Sequence, residues 1–93
     1  MSEKRAVQVR VTGRVQGVSF RVWTQAEARQ LGLAGWVRNE RDGSVSALLV
    51  GRDDAVATMI GRLHAGPPGA QVADVRAEDV EQIDPPDGFR ITG

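Results

Sequence analysis

The order in which the apolar residues change their spacing constrains the fold of this chain more than any other feature. Val7, Val9 and Val11 alternate with Gln8, Arg10 and Thr12, the pattern of a strand with one buried face. Over residues 20–31 the spacing turns helical, with Phe20, Trp23, Ala28 and Leu31 near one face and Gly32 as a stop. Thr24 and Glu27 interrupt that stripe and suit a capping box, which offers an alternative helix start near Trp23 with Arg21 in the entering loop. Either start leaves Arg21 at the same end of the element. Residues 34–39 read as a second strand, Arg41-Asp42-Gly43 as a hairpin turn, and Val45, Ala47 and Leu49, alternating with Ser44, Ser46 and Leu48, as a third strand ended by Gly51. Asp53 or Asp54 caps a second helix whose Val56, Met59, Ile60 and Leu63 recur at helical spacing. Gly66-Pro67-Pro68-Gly69 stops it. Residues 72–80 form a fourth strand of irregular alternation, and Asp84-Pro85-Pro86-Asp87-Gly88 makes a surface turn before a short final strand at 89–91.

This order, βαββαβ with a short extra strand, predicts the α+β class: a ferredoxin-like sandwich, an antiparallel sheet with two helices on one face. A right-handed crossover through the first helix leaves strands one and two parallel, with strand three inserted between them. The C-terminal ends of strands one and two then share one rim of the sheet. The segment after Thr12 and the side chain of Asn39 meet there.

Composition bounds the function. Ninety-three residues make one domain with room for a two-layer core. The absence of cysteine excludes disulfides, thiolate nucleophiles and cysteine metal sites. The charged start, residues 1–5, leads into alternation and not into the apolar stretch of a signal peptide, so a cytoplasmic protein with no membrane partner is expected. Twelve acidic and twelve basic side chains cancel, which argues against nonspecific nucleic-acid binding and leaves room for a local positive pocket.

Such a pocket is written into Gly13-Arg14-Val15-Gln16-Gly17-Val18-Ser19-Phe20-Arg21, a glycine-containing loop between a strand and a helix. Free amides in a turn and in the first helical turn converge on one spot and favour an anion there. Arg21 adds a planar fork matched to two phosphate oxygens. A cation at the positive end of a helix is mildly unfavourable on its own, and residues 11–26 contain no carboxylate to offset it. A bound anion removes the conflict. The plainer reading is an ordinary surface loop, since Lys4 is the only lysine and arginine is the default cation of this chain.

That run, together with Gly35-Trp36-Val37-Arg38-Asn39-Glu40-Arg41-Asp42-Gly43-Ser44-Val45 continuing to Gly51, resembles the two signature motifs of the acylphosphatase family. Order, spacing and predicted topology agree with it across residues 1–93, the size of a free-standing member. The resemblance implies a hydrolase that splits acyl phosphates into a carboxylate and inorganic phosphate, with no cofactor and no metal. It places substrate phosphate on Arg21 and the attacking water on Asn39. Ser19 stands where family members vary, and Arg90-Ile91-Thr92-Gly93 lacks the final aromatic residue of many relatives, a difference that bears on packing.

The chemistry of the residues agrees. His64, the only histidine, sits at the end of the second helix and suits a C-terminal cation or a solvated surface residue. With no cysteine or histidine near the loop, water is the nucleophile. Asp53 and Asp54 read as a helix cap and not as metal ligands. An acyl phosphate expels a carboxylate whose conjugate acid has a pKa of about 4, so the leaving group needs no general acid. Positioning and charge stabilisation suffice for such a transfer. The amides of Val15, Gln16, Gly17, Val18, Ser19 and Phe20, with the Arg21 fork, hold the phosphoryl group, while Asn39 orients water in line. Trp23 and Trp36 read as packing aromatics, the Gln16 side chain as a solvated loop group, Arg14 as a background charge, and Gly13 and Gly17 as residues that let the backbone turn and approach an anion. Two rival readings are a nucleic-acid-binding sheet, disfavoured because strands one and three carry no aromatic residue, and a noncatalytic anion sensor, disfavoured because it has no use for Asn39. A monomer is the simplest assembly.

Overall fold

A computed structural model describes residues 4–81 and 87–93. Seven elements follow in the order β1 (Lys4–Arg14), α1 (Phe20–Gln30), β2 (Ala34–Asn39), β3 (Val45–Arg52), α2 (Asp53–Ala65), β4 (Gln71–Asp79) and β5 (Phe89–Ile91). The strands form one sheet in the order β4-β1-β3-β2-β5. As the sequence predicts, β3 lies between β1 and β2 and pairs antiparallel with both. The sheet is not wholly antiparallel, because β5 runs parallel to β2 through Gly35↔Phe89, Trp36↔Arg90 and Val37↔Ile91. A three-residue strand carries no local signal of its direction, which is set by the chain reaching the far edge of the sheet.

The alternation of Val7, Val9 and Val11 turns all three toward the helices, where they meet Val37, Val45 and Leu49 from the sheet and Phe20, Ala28, Val56, Met59 and Leu63 from α1 and α2. Burial of this apolar surface is the main stabilising term. β3 is buried on both faces: Leu48 and Val50 join Ala6 in a second cluster on the opposite side, with Ala34, Trp36 and Val80 packed against it. Arg38 stacks over the Trp36 ring at 4.5 Å, and Trp36 is a packing aromatic. Trp23 likewise packs, edge to face on Phe20 at 5.5 Å.

One choice between helix starts is decided in favour of the main reading, and two local expectations are corrected. α1 begins at Phe20 and not near Trp23, because Thr24 is wholly buried against the core and has no capping bond to offer. Asp53 and Asp54 occupy the first turn of α2 and not its cap, which is Arg52; β3 continues through Gly51 directly into the helix. Gly13 serves the sheet and not the anion loop: it sits at φ 118° where the β1–β4 register shifts, and a Cβ there would lie 2.3 Å from the Gln71 carbonyl oxygen. The turn expected at 84–88 lies outside the described residues except for Asp87 and Gly88, which form bends.

Candidate active site

At the rim where β1 and β2 end, Val15, Gln16, Gly17, Ser19, Phe20, Arg21, Val22 and Asn39 line a cleft of about 340 Å³. The fold therefore brings together Arg21 and Asn39, the two residues singled out from separate motifs. The Val18 side chain packs against the core, which leaves the main-chain amide as the part of this loop residue to which the expectation refers. Val22 lines the cleft and was not anticipated from sequence; the available signal was its place off the Phe20–Ala28 face of an otherwise amphipathic helix.

The loop is built to expose main-chain donors. Val15 and Phe20 are buried and pin its two ends, while Gly17 turns at φ 77° and Ser19 enters α1 in the left-handed region at φ 60°. Among the described residues, none of the amides from Gln16 to Ser19 donates to a protein acceptor. The first turn of α1 adds further donors without intrahelical partners, closed only by the Trp23 amide on the Ser19 carbonyl at 3.0 Å. The Ser19 hydroxyl makes no capping bond, and the first turn of α1 holds no acidic residue. α2 differs in that Asp53 and Asp54 sit in its own first turn. The positive end of α1 thus has no acidic residue in its own first turn, an arrangement that can accept an anion.

Arg21 pairs with no carboxylate side chain among the described residues. One Nη donates to the main-chain oxygen of Gly93, and that oxygen also accepts the Asn39 amide N–H at 3.2 Å. Gln25, one turn further along α1, donates to the Phe89 carbonyl at 3.0 Å. β5 and the residues after it therefore hold α1 and β2 in one frame and aim the guanidinium, while most of its five donors stay free.

Asn39 ends β2, and its Oδ1 is buried with no hydrogen-bond partner among the described residues. A buried acceptor left in that condition costs about 1–3 kcal/mol, so a donor arriving from the cleft is favoured. The Gln16 side chain is not a solvated loop group. Its Nε2 donates to the carbonyls of Glu40 at 2.8 Å and Ser44 at 2.9 Å, which ties the loop to the hairpin that follows Asn39. That hairpin is closed by Glu40 N–H on the Ser44 carbonyl and by Ser44 donating through its amide and hydroxyl to Asp42. The Ser44 hydroxyl lowers the Asp42 carboxyl below its ordinary value, and the Arg38 guanidinium does the same for Glu40.

A wider groove of about 630 Å³ opens on the other face of the sheet beside Arg10 and Arg76. Those cations are already paired, Arg10 with Asp42 at 3.4 Å and Arg76 with Asp74 at 3.2 Å, so the smaller cleft is the one with unspent donors. No described helix is long and apolar enough to cross a membrane.

The sequence and the fold are similar to those of known proteins. The chain is 59% identical over 90 residues to an acylphosphatase of Rhizobium meliloti (strain 1021), covering 97% of this chain and 95% of the relative. It is 61% identical over 88 residues to one from Mesorhizobium japonicum, covering 95% and 94%. The solved structure of an acylphosphatase from Coxiella burnetii superposes with a TM-score of 0.92 at 35% identity, covering 96% of this chain and 93% of that one. With the acylphosphatase family profile matching residues 7–91, the chain belongs to the acylphosphatase family of enzymes.

Proposed function

We propose that this chain hydrolyses acyl phosphates, with Arg21 and the loop amides holding the phosphoryl group and Asn39 positioning the water. The observation that carries the reading is the orphaned Oδ1 of Asn39 in the same cleft as the unpaired amides and the Arg21 fork. A water that donates one proton to Oδ1 directs a lone pair into the cleft. The oxygen of that water forms a bond to phosphorus while the bond from phosphorus to the acyl oxygen breaks, and the electron pair leaves with the carboxylate. The proton given up by the water passes to solvent or to the phosphate product. The amides and Arg21 offset charge on the equatorial oxygens throughout, as a loose transfer requires.

Every group in this scheme comes from one chain, so a monomer without metal or cofactor suffices. The test is benzoyl phosphate hydrolysis in the presence of chelator. A transition-state arginine supplies roughly 10³ to 10⁵ in rate, or about 4 to 7 kcal/mol, so Arg21→Ala nearly abolishes turnover. Arg21→Lys fails as well, because a point charge does not reproduce the fork. Near-normal turnover in either variant refutes the role of Arg21.

A further inference from the structure

Val22 lines the cleft and, at 61% exposure, is the most open large apolar side chain among the described residues. Single exposed valines are common on proteins, and the position of this one is what gives it meaning. Phe20, Thr24 and Ala28 define the buried side of α1, whereas Arg21 and Gln25 define the side that grips β5 and the residues after it, through the Phe89 and Gly93 carbonyls. One residue along a helix is a rotation of about 100°, which carries Val22 past Arg21 to the side turned away from the sheet. Asn39 lies on the sheet side, its amide on the same Gly93 oxygen. Asn39 and Val22 therefore flank Arg21 from opposite directions. Attack at phosphorus places the incoming and departing oxygens roughly in line. With water at Asn39, the departing acyl oxygen and its substituent emerge beside Val22.

We infer that Val22 is the platform for the acyl group and biases the enzyme toward acyl phosphates with an aromatic or branched apolar acyl portion. This rests on the reading of the cleft given above. An apolar substituent laid on Val22 removes both surfaces from water, while an acetyl group is too small to cover it. Its neighbours at the rim offer no competing apolar surface: Gly17 has no side chain and Ser19 ends in a hydroxyl.

The experiment compares kcat/KM for benzoyl phosphate and acetyl phosphate in the full chain, in Val22→Thr, in Val22→Leu and in Ile91→Thr. Threonine keeps the branched shape, adds no charge and replaces one methyl with a hydroxyl. The benzoyl-to-acetyl ratio falls about threefold in Val22→Thr, the worth of roughly one methyl contact, and rises in Val22→Leu. Ile91, the other exposed large apolar side chain at 37%, does not line the cleft, and Ile91→Thr leaves the ratio where it was. An unchanged ratio in both Val22 variants, with the unaltered chain cleaving both substrates, overturns this inference alone. Failure of the unaltered chain to cleave either substrate overturns it together with the proposed function.

Discussion

Gln16 donates to the main-chain carbonyl of Glu40 at 2.8 Å, one residue beyond Asn39. The contact joins the two motifs directly, since the same Nε2 also reaches Ser44 and so uses both of its protons on the hairpin. Both carbonyls keep a second partner, the Gly43 and Glu40 amides respectively. Gln16→Ala is therefore expected to cost about 1–2 kcal/mol of stability, two ordinary hydrogen bonds without an orphaned acceptor. Gln16→Glu is expected to cost more, because a carboxylate oxygen faces two carbonyl oxygens. Urea midpoints of the two variants check the order.

Asn39→Ala separates binding from turnover. On the proposed scheme its side chain serves the water alone and its loss leaves the loop amides and Arg21 in place, so kcat is expected to fall by at least about tenfold while inhibition by inorganic phosphate stays within about twofold. Loss of phosphate inhibition in that variant reassigns Asn39 to substrate binding.

Ser19 holds a backbone conformation that a side chain makes unfavourable, at φ 60°, and its hydroxyl makes no capping bond in return. Glycine at this position relieves about 1 kcal/mol. Ser19→Gly is expected to raise the urea midpoint, and a lowered midpoint shows that the hydroxyl contributes more than its geometry indicates.

Acid weakens the hairpin beside Asn39. The Ser44 hydroxyl, at 2.6 Å, is the chief cause holding Asp42 below its ordinary value of 3.8, and the Arg38 guanidinium, at 2.9 Å, is the chief cause holding Glu40 below 4.5. Folded values below unfolded ones mean that the unfolded chain takes up protons first as pH falls. The stabilisation is full above the ordinary values and is lost as pH drops below them through the folded values. Stability is expected to be level above about pH 5 and to fall below about pH 4, with a shallower fall in Asp42→Asn. A denaturation series across that interval reads both slopes.

Much of the fold was legible because each long element announced its period: the Val7-Val9-Val11 alternation and the Val56-Met59-Leu63 spacing name both the element and its buried face. The place of the candidate cleft was legible too, since the crossover rule brings the loop after Thr12 and the end of β2 to one rim. What the sequence hid was contact with main-chain atoms. The partners of Gln16 are carbonyls of residues 40 and 44, and the partner of Arg21 is the oxygen of Gly93, groups that every residue type carries equally. The start of α1 was ambiguous because Thr24 and Glu27 have the chemistry of a cap, and only tertiary burial of Thr24 decides against it. Val22 was overlooked for the opposite reason, since an apolar residue in an amphipathic helix reads as core until the helix is docked.

The bond between Arg21 and Gly93 spans 72 positions of sequence, and the strand that delivers Gly93 is three residues long. Short as it is, this strand is no loose edge: Phe89 is fully buried in the core, and the Phe89 carbonyl and the Thr92 amide bond to Gln25 and Val37. Undocking it would free the Arg21 guanidinium from Gly93 and open the core at Phe89 in one event, so the aim of the guanidinium is coupled to the integrity of the interior.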